Sequence, residues 1–426
     1  MQKQKVLEKT GLSDKGSVIF FGVVCWVTYF SIYLGRLNFS ASMSEMAQTG
    51  IWGKTQLGSV AAAFYLAYGL GQFPSGVLGD HFSGRKLVML GLVGAALANA
   101  AFPFVESIKG MQVIWFINGL CQALVWPPMA RLVADMTHGK QTVSIVLALS
   151  FTSPVGMLSA YLFSAVMLEK KGWQYSFWFA AIWLLAVAVF WFLSILKMEQ
   201  RAGFIHRKAV RTAKPQEQQE REEAGKRILA SGILWIGVAT FIHGVLKDGL
   251  TTWIPTYLTE RFLIAPSFSV LLTTILPIVN LSGVYLADYT NRKIFKNETG
   301  TAAAGYAIAF LFLVTMITGI GSSVYGTVAV FAVVTSMMTA VNTVFISLLP
   351  IHFQKEGKVA TVSGILNAVT YLGSAVASVL FGWTAEKAGW TGTEMVWCFC
   401  AATGMIVCLV VLKRWKNSRR DIYTGS

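Results

Sequence analysis

The chain has 426 residues, of which 55% are hydrophobic and 13% charged, against the roughly 25% charged expected of a soluble domain. Apolar runs near the ~20 residues needed to cross about 30 Å of hydrocarbon recur from end to end, which excludes a large soluble core and makes lipid the expected solvent. The net charge of +15 does not mark a nucleic-acid binder, because Lys and Arg gather at helix ends and in a few polar loops rather than in one basic domain.

In chain order, Met1 to Lys15 is polar, carries Lys3, Lys5, Lys9 and Lys15, and lacks a short apolar core followed by a small-residue cleavage site, so an uncleaved cytoplasmic N-terminus is expected. Twelve transmembrane helices are predicted: 17–40, 55–79, 86–105, 111–134, 143–168 and 174–196, then 229–258, 266–287, 300–320, 324–349, 360–385 and 392–412. This divides the chain into a six-helix bundle over 1–196, a polar linker over 197–227 rich in Gln, Glu and basic residues, and a second six-helix bundle with a basic tail over 228–426. The fold class is therefore an all-α membrane protein. Arg85, Lys86, Lys140, Arg292, Lys293, Lys296, Lys355 and Lys358 fall on the side of the linker and both termini. The opposite loops hold only Lys54, Lys109, Lys170, Lys171, Arg261 and Lys387. That asymmetry predicts two cytoplasmic termini and a multi-pass protein of the cell membrane. The five cysteines all lie in apolar segments, with neither a disulfide framework nor zinc-ligand spacing.

The two halves echo each other. Gly76-Val-Leu-Gly-Asp80 before Arg85-Lys86 returns as Gly283-Val-Tyr-Leu-Ala-Asp288 before Arg292-Lys293, and Glu169-Lys-Lys-Gly-Trp173 returns as Glu386-Lys-Ala-Gly-Trp390. Both pairs keep the same side of the membrane, as parallel six-helix repeats do. A glycine and acid closing the second span and an Arg-Lys pair opening the third resemble the loop signature of the major facilitator superfamily. The resemblance implies the pseudo-symmetric twelve-helix fold of that superfamily. Gly76, Asp80, Arg85, Asp288 and Arg292 are then expected to form a gating scaffold rather than a substrate site.

Charges inside spans are costly and usually face a cavity and a partner; Arg36 and Lys247 are the two to explain. Tyr29, Tyr33, Arg36 and Ser40 recur at helical spacing on one face of the first span. That stripe suits carboxylate or phosphate oxygens, because the guanidinium fork binds them in bidentate fashion; an arginine snorkelling from a helix end is the alternative. Thr240, His243, Lys247 and Thr251 share a face of the seventh span, so the first helix of each half carries one cation, and two cations across one cavity fit a divalent anion. An ion pair of Lys247 with Asp248 is not expected, since neighbours on a helix point about 100° apart. His243 either relays a proton or hydrogen-bonds in the wall. Asp248 either couples a proton or pairs with another helix. Asn118, Gln122, Ser150, Ser153, Asn342 and a stripe of Ser363, Asn367, Tyr371, Ser374 and Ser378 complete the candidate lining, or serve as interhelical glue. No Gly-rich phosphate loop, two-histidine metal helix or serine elbow is present, so neither an enzyme nor a cofactor is expected.

Four segments are more specifically similar to the organophosphate:phosphate antiporter branch, which includes glycerol-3-phosphate and hexose-phosphate transporters. They are Tyr33-Leu-Gly-Arg36-Leu-Asn38-Phe39, Asn118-Gly-Leu-Cys-Gln122-Ala-Leu-Val-Trp126-Pro127-Pro128-Met-Ala-Arg131, Lys247-Asp-Gly-Leu-Thr-Thr-Trp253-Ile-Pro255-Thr-Tyr257-Leu258 and Tyr371-Leu-Gly373-Ser374-Ala-Val-Ala377-Ser378. The resemblance implies alternating-access exchange of a phosphate ester for inorganic phosphate by a monomer, with Arg36 and Lys247 on the phosphoryl group. Leu37, Ser153 and Lys247 depart from the branch's second first-span cation, fifth-span histidine and seventh-span arginine. They leave room for another ester, or for a carboxylate such as a sugar acid taken up with protons. A transporter-like sugar-phosphate sensor is a third reading.

Overall fold

The computed structural model describes residues 11–12, 14–202, 232–319, 323–354 and 358–424, the side chains of residues 80, 360 and 416–424 excepted. Most of the expected linker therefore lies outside the described residues. Among those described, the secondary structure is helical throughout. Eleven helices among the described residues are long and apolar enough to cross a membrane: Lys15–Gln48, Gly84–Phe104, Ile108–Met136, Lys140–Lys170 and Trp173–Arg201 before the linker, and Ile233–Phe262, Pro266–Phe295, Glu298–Ile317, Val324–Phe353, Thr361–Lys387 and Gly389–Trp415 after it. Between the first two runs Lys54–His81, a helix of 28 residues, spans about 42 Å at 1.5 Å per residue and takes the place of the second predicted span. Its small and hydroxylated residues pack against both halves: Gly58 and Gly69 on the eleventh span, Gly71 on the fourth and Ser59 on Gln112.

Several spans are broken, and proline explains three of the breaks. A proline has no N–H to give and collides with the carbonyl four residues earlier. The fifth span stops at Ser150, four before Pro154, and the eighth at Thr273, four before Pro277. The fourth stops at Ala123, four before Pro127. The first span breaks between Ser31 and Leu34 without proline, and the seventh and tenth widen into single π-type turns at Val245–Gly249 and Thr343–Leu348, a distortion frequent at functional sites. At its start the first helix is capped by Asp14, whose carboxylate accepts the Ser17 N–H at 2.8 Å and is held below the usual carboxylate range by that bond.

Outward-facing Phe73, Phe104, Ile182 and Phe399 are each more than 70% exposed, a coat that only lipid tolerates on this scale. The two sets of six helices meet chiefly along the second and eleventh spans, where glycines bring backbones together. A Cβ on Gly58 would collide with the Ser378 carbonyl, one on Gly382 would sit 2.6 Å from the Lys54 carbonyl oxygen, and one on Gly69 would lie 2.9 Å from Tyr371 Cβ. Beyond them, on the face opposite the termini, Lys54 Nζ pairs with Glu260 Oε2 at 2.8 Å and Trp390 Nε1 donates to that same oxygen at 2.9 Å. Glu386 accepts both the N–H (3.0 Å) and the hydroxyl (2.8 Å) of Thr55. Toward the termini, Trp126–Met136 and Lys140–Ser150 pack against helices of their own half. Among the described residues, the two halves thus meet on the face opposite the termini and are parted on the terminal face.

Candidate functional site

Arg36 lies in the first helical turn after the break in the first span. In the first turn of the resumed helix, the Gly35 carbonyl accepts three amide N–H groups: Asn118 Nδ2 at 2.9 Å, Gln122 Nε2 at 3.0 Å and Asn99 Nδ2 at 3.2 Å. A Cβ at residue 35 would stand 2.6 Å from Leu184 Cδ1 and 3.0 Å from Asn99 Nδ2, so a larger residue there would displace these side chains. The network closes on the arginine, whose Nε donates to Gln122 Oε1 at 3.3 Å. Its guanidinium lies over Tyr68 at 4.1 Å, Phe64 at 5.0 Å and Tyr33 at 5.6 Å. Such contacts hold a cation by the ring quadrupole without cancelling its charge. Nη2 is buried without a hydrogen-bond partner. Arg36 thus keeps a donor that no protein acceptor uses.

The seventh span supplies the second cation in a different state. Lys247 Nζ is 2.9 Å from Asp248 Oδ1, which corrects the expectation that adjacent residues cannot pair. The 100° argument holds for a regular α-helix, but residues 245–249 form a π-type turn that winds less per residue, and the four-carbon lysine stem folds back. Asp248 is held further by Ser374 of the eleventh span, whose hydroxyl donates to Oδ2 at 2.9 Å. His243, one turn earlier, does not line the cavity. Its Nε2 is 3.0 Å from the Met338 carbonyl, which can only accept, so that nitrogen carries the hydrogen; Nδ1 is buried without a partner, as in a neutral ring. A buried structural hydrogen bond to Met338, not the relay, is the role its geometry fits.

Both cations border one cavity of about 320 Å³ between the halves, within the size range of small-ligand sites. Of the predicted lining, Tyr33, Ser150, Ser153, Asn342, Asn367 and Tyr371 are there, with Asp248. Tyr29 stands behind, packed on Trp126 at 4.7 Å and on Tyr33 at 6.0 Å. Ser40 leaves the stripe to bond the Thr252 carbonyl across the interface at 2.8 Å. Tyr65 and Asn280 border the cavity and Tyr68 meets Tyr371 edge-on at 4.8 Å, yet all three escaped the sequence reading. Tyr65 and Tyr68, three apart beside Gly69 in the least apolar span, were the available signal.

The loop residues are dispersed on the terminal side. Arg85 pairs with Glu199 of the sixth span at 3.1 Å, under Phe192 at 4.9 Å. Asp288 and Arg292 pair at 2.7 Å within their own helix and are exposed. A Cβ at Gly76 would meet nothing within 4 Å, and the Asp80 side chain lies outside the described residues.

A profile described as Major Facilitator Superfamily matches residues 25–378. The chain is 26% identical to a "Glycerol-3-phosphate transporter" of Bacillus subtilis, covering 88% of this chain and 87% of that one. It is 22% identical to a "Probable hexose phosphate transport protein" of Chlamydia muridarum, over 95% of this chain and 91% of the relative. Among solved structures it superposes on a bacterial homolog of the human lysosomal transporter Spinster in an inward-facing, unoccupied conformation, with a TM-score of 0.76 at 13% identity, covering 96% of this chain and 98% of that one.

Proposed function

For a chain that belongs to the Major Facilitator Superfamily, and is thus a multi-pass membrane transporter and not an enzyme, we propose that the cargo is a phosphate ester exchanged for inorganic phosphate. The observation that carries this reading is Arg36, a half-buried arginine whose Nη2 is buried and unpartnered, bordering a cavity that also holds Lys247. A planar fork with spare donors is the group best suited to phosphoryl oxygens. The two relatives named for glycerol-3-phosphate and hexose phosphate support the same cargo class. In this reading the two six-helix bundles rock about the anion, which enters from the parted face and leaves when the closed face opens. The termini are cytoplasmic, the membrane is that of the cell, and the working unit is a monomer. The test is counterflow: proteoliposomes loaded with labelled phosphate release it when a phosphate ester is added outside. Absence of release with glycerol phosphate, hexose phosphates and phosphate itself removes the exchange reading.

The Lys247–Asp248 pair favours a second reading, in which an organic carboxylate such as a sugar acid moves with protons. Uptake driven by a pH gradient alone, without internal phosphate, distinguishes it.

Gln122 offers a further check. Gln122→Leu keeps the volume but removes the acceptor from Arg36 Nε and one donor from the Gly35 carbonyl. A hydrogen bond to a charged group contributes about 1.5–3 kcal/mol, so ligand affinity in a calorimetric titration is expected to fall about tenfold to a hundredfold. Unchanged affinity would mean that Arg36 is positioned by its aromatic neighbours alone.

A further inference from the structure

We propose that Asp248 sets the charge of the cargo: the empty cavity carries one net positive charge, so the bound solute contributes one negative charge, and a dianion binds together with one proton. This rests on the reading of the cavity as an anion site. Among the described residues bordering it, the side chains charged at neutral pH are Arg36, Lys247 and Asp248. Arg36 has no carboxylate partner; its neighbours are rings and the Gln122 amide. Lys247, by contrast, is already neutralised at 2.9 Å by the residue next to it.

That counter-ion is built in rather than incidental. Asp248 accepts Lys247 on one oxygen and Ser374 on the other. The π-type turn that allows the pairing is fixed where the eleventh span packs closest: the Ser374 hydroxyl also lies 3.3 Å from the Gly244 carbonyl, and a Cβ at Gly249 would overlap Ala377. The titratable groups facing the pair from other elements are Tyr33 of the first span, Tyr65 of the second, Tyr161 of the fifth and Tyr371 of the eleventh, with His243 on its own helix and Arg36 across the same cavity. The tyrosines are neutral phenols, and His243 spends its N–H on Met338. None of them supplies a second positive charge.

In a cavity walled by apolar helices an unbalanced charge is strongly disfavoured. A monoanion on Arg36 brings the sum to zero, whereas a dianion leaves an excess negative charge. A phosphate monoester can meet the requirement in two ways, because its second pKa is about 6. Either the ester binds as its monoanion, or a proton settles on Asp248 and releases Lys247 to the dianion. Both complexes hold one proton more than the empty site and the free dianion, so linkage makes affinity fall about tenfold per pH unit above that pKa. A sulfate ester, a monoanion at every such pH, has no proton to take up.

The experiment is a titration of the purified full-length protein with glycerol 3-phosphate, a hexose 6-phosphate and their sulfate esters between pH 5.5 and 8.5, read by calorimetry. Expected for the native protein is a phosphate-ester affinity that weakens about tenfold per unit above pH 6.5, beside a flat sulfate-ester affinity. In Asp248→Asn the phosphate-ester slope is expected to vanish and the phosphate ester to bind more tightly than the sulfate. A flat or rising phosphate-ester affinity in the native protein overturns the proposal while leaving the anion site intact, and needs no variant to fold. The same slope in Asp248→Asn also overturns it. Binding of neither ester at any pH overturns the anion-site reading and the proposal with it.

Discussion

Replacing Arg36 by glutamine is expected to remove anion binding and transport while leaving the protein as stable as before, or more so. The side chain is a half-buried cation with its Nη2 buried and unpartnered and no carboxylate on it, held by Gln122 at 3.3 Å and by the faces of Tyr68, Phe64 and Tyr33. Its charge costs desolvation in the empty state and is balanced only when an anion arrives. Removing one member of a buried, hydrogen-bonded charge pair costs about 2–5 kcal/mol, which is about a 30-fold to 4000-fold loss of affinity. Thermal unfolding without ligand is expected to move little or upward, since what is lost is an uncompensated charge. Arg36→Lys should fall between: it retains the charge but gives up the planar fork and the stack on Tyr68. Equal ligand stabilisation in the native protein and Arg36→Gln would place the anion elsewhere.

How much of this was legible in the sequence depends on the length over which each feature is encoded. Spans were readable because about twenty apolar residues in a row have one stable environment; even Lys54–His81, weaker in apolarity, was recognisable by its length between two loops. Arg36 and Lys247 stood out for the same reason, as charges where lipid forbids them. The state of each cation was not legible. Lys247 pairs with Asp248 because a local π-type turn changes the angle between neighbours, and nothing in the residue pattern at 245–249 forces that turn. It lies where the eleventh span packs, with Ser374 against the Gly244 carbonyl and Asp248. The stripe Ser363, Asn367, Tyr371, Ser374, Ser378 likewise split by neighbour rather than by spacing: Asn367 and Tyr371 reach the cavity, Ser363 bonds Ile346 O at 2.8 Å, Ser374 turns to Asp248 and Ser378 bonds Ser374 O at 2.8 Å. The hub at the Gly35 carbonyl draws donors from positions 99, 118 and 122, a convergence that only the three-dimensional packing creates.

The closed face gives the other large expected effect. Its polar contacts, Lys54 with Glu260 and Thr55 with Glu386, are partly exposed, and exposed pairs contribute about 0–1 kcal/mol each. They orient the closure more than they hold it. What holds it is backbone proximity at glycines: the position a Cβ would take on Gly58 is occupied by the Ser378 carbonyl, the same carbonyl that accepts Trp253 Nε1 at 3.1 Å. A backbone obstacle cannot move aside as a flexible side chain would. Gly58→Leu is therefore expected to make the contact between the second and eleventh spans untenable, beyond the ~1–3 kcal/mol usual for overpacking that neighbours can relieve. Turning a 99:1 population into its reverse takes about 5.5 kcal/mol, and a leucine driven into a backbone carbonyl is of that order. The six-helix bundles themselves are untouched, so the variant should fold, part on the face opposite the termini, and cease to transport because it cannot return. Pulsed electron resonance between labels at Ile51 and Lys387, both exposed on that face, is expected to show a longer distance in Gly58→Leu than in the native protein, and Gly58→Ala should give a smaller shift in the same direction. An unchanged distance with retained transport would mean that these glycines pack the bundles without gating them.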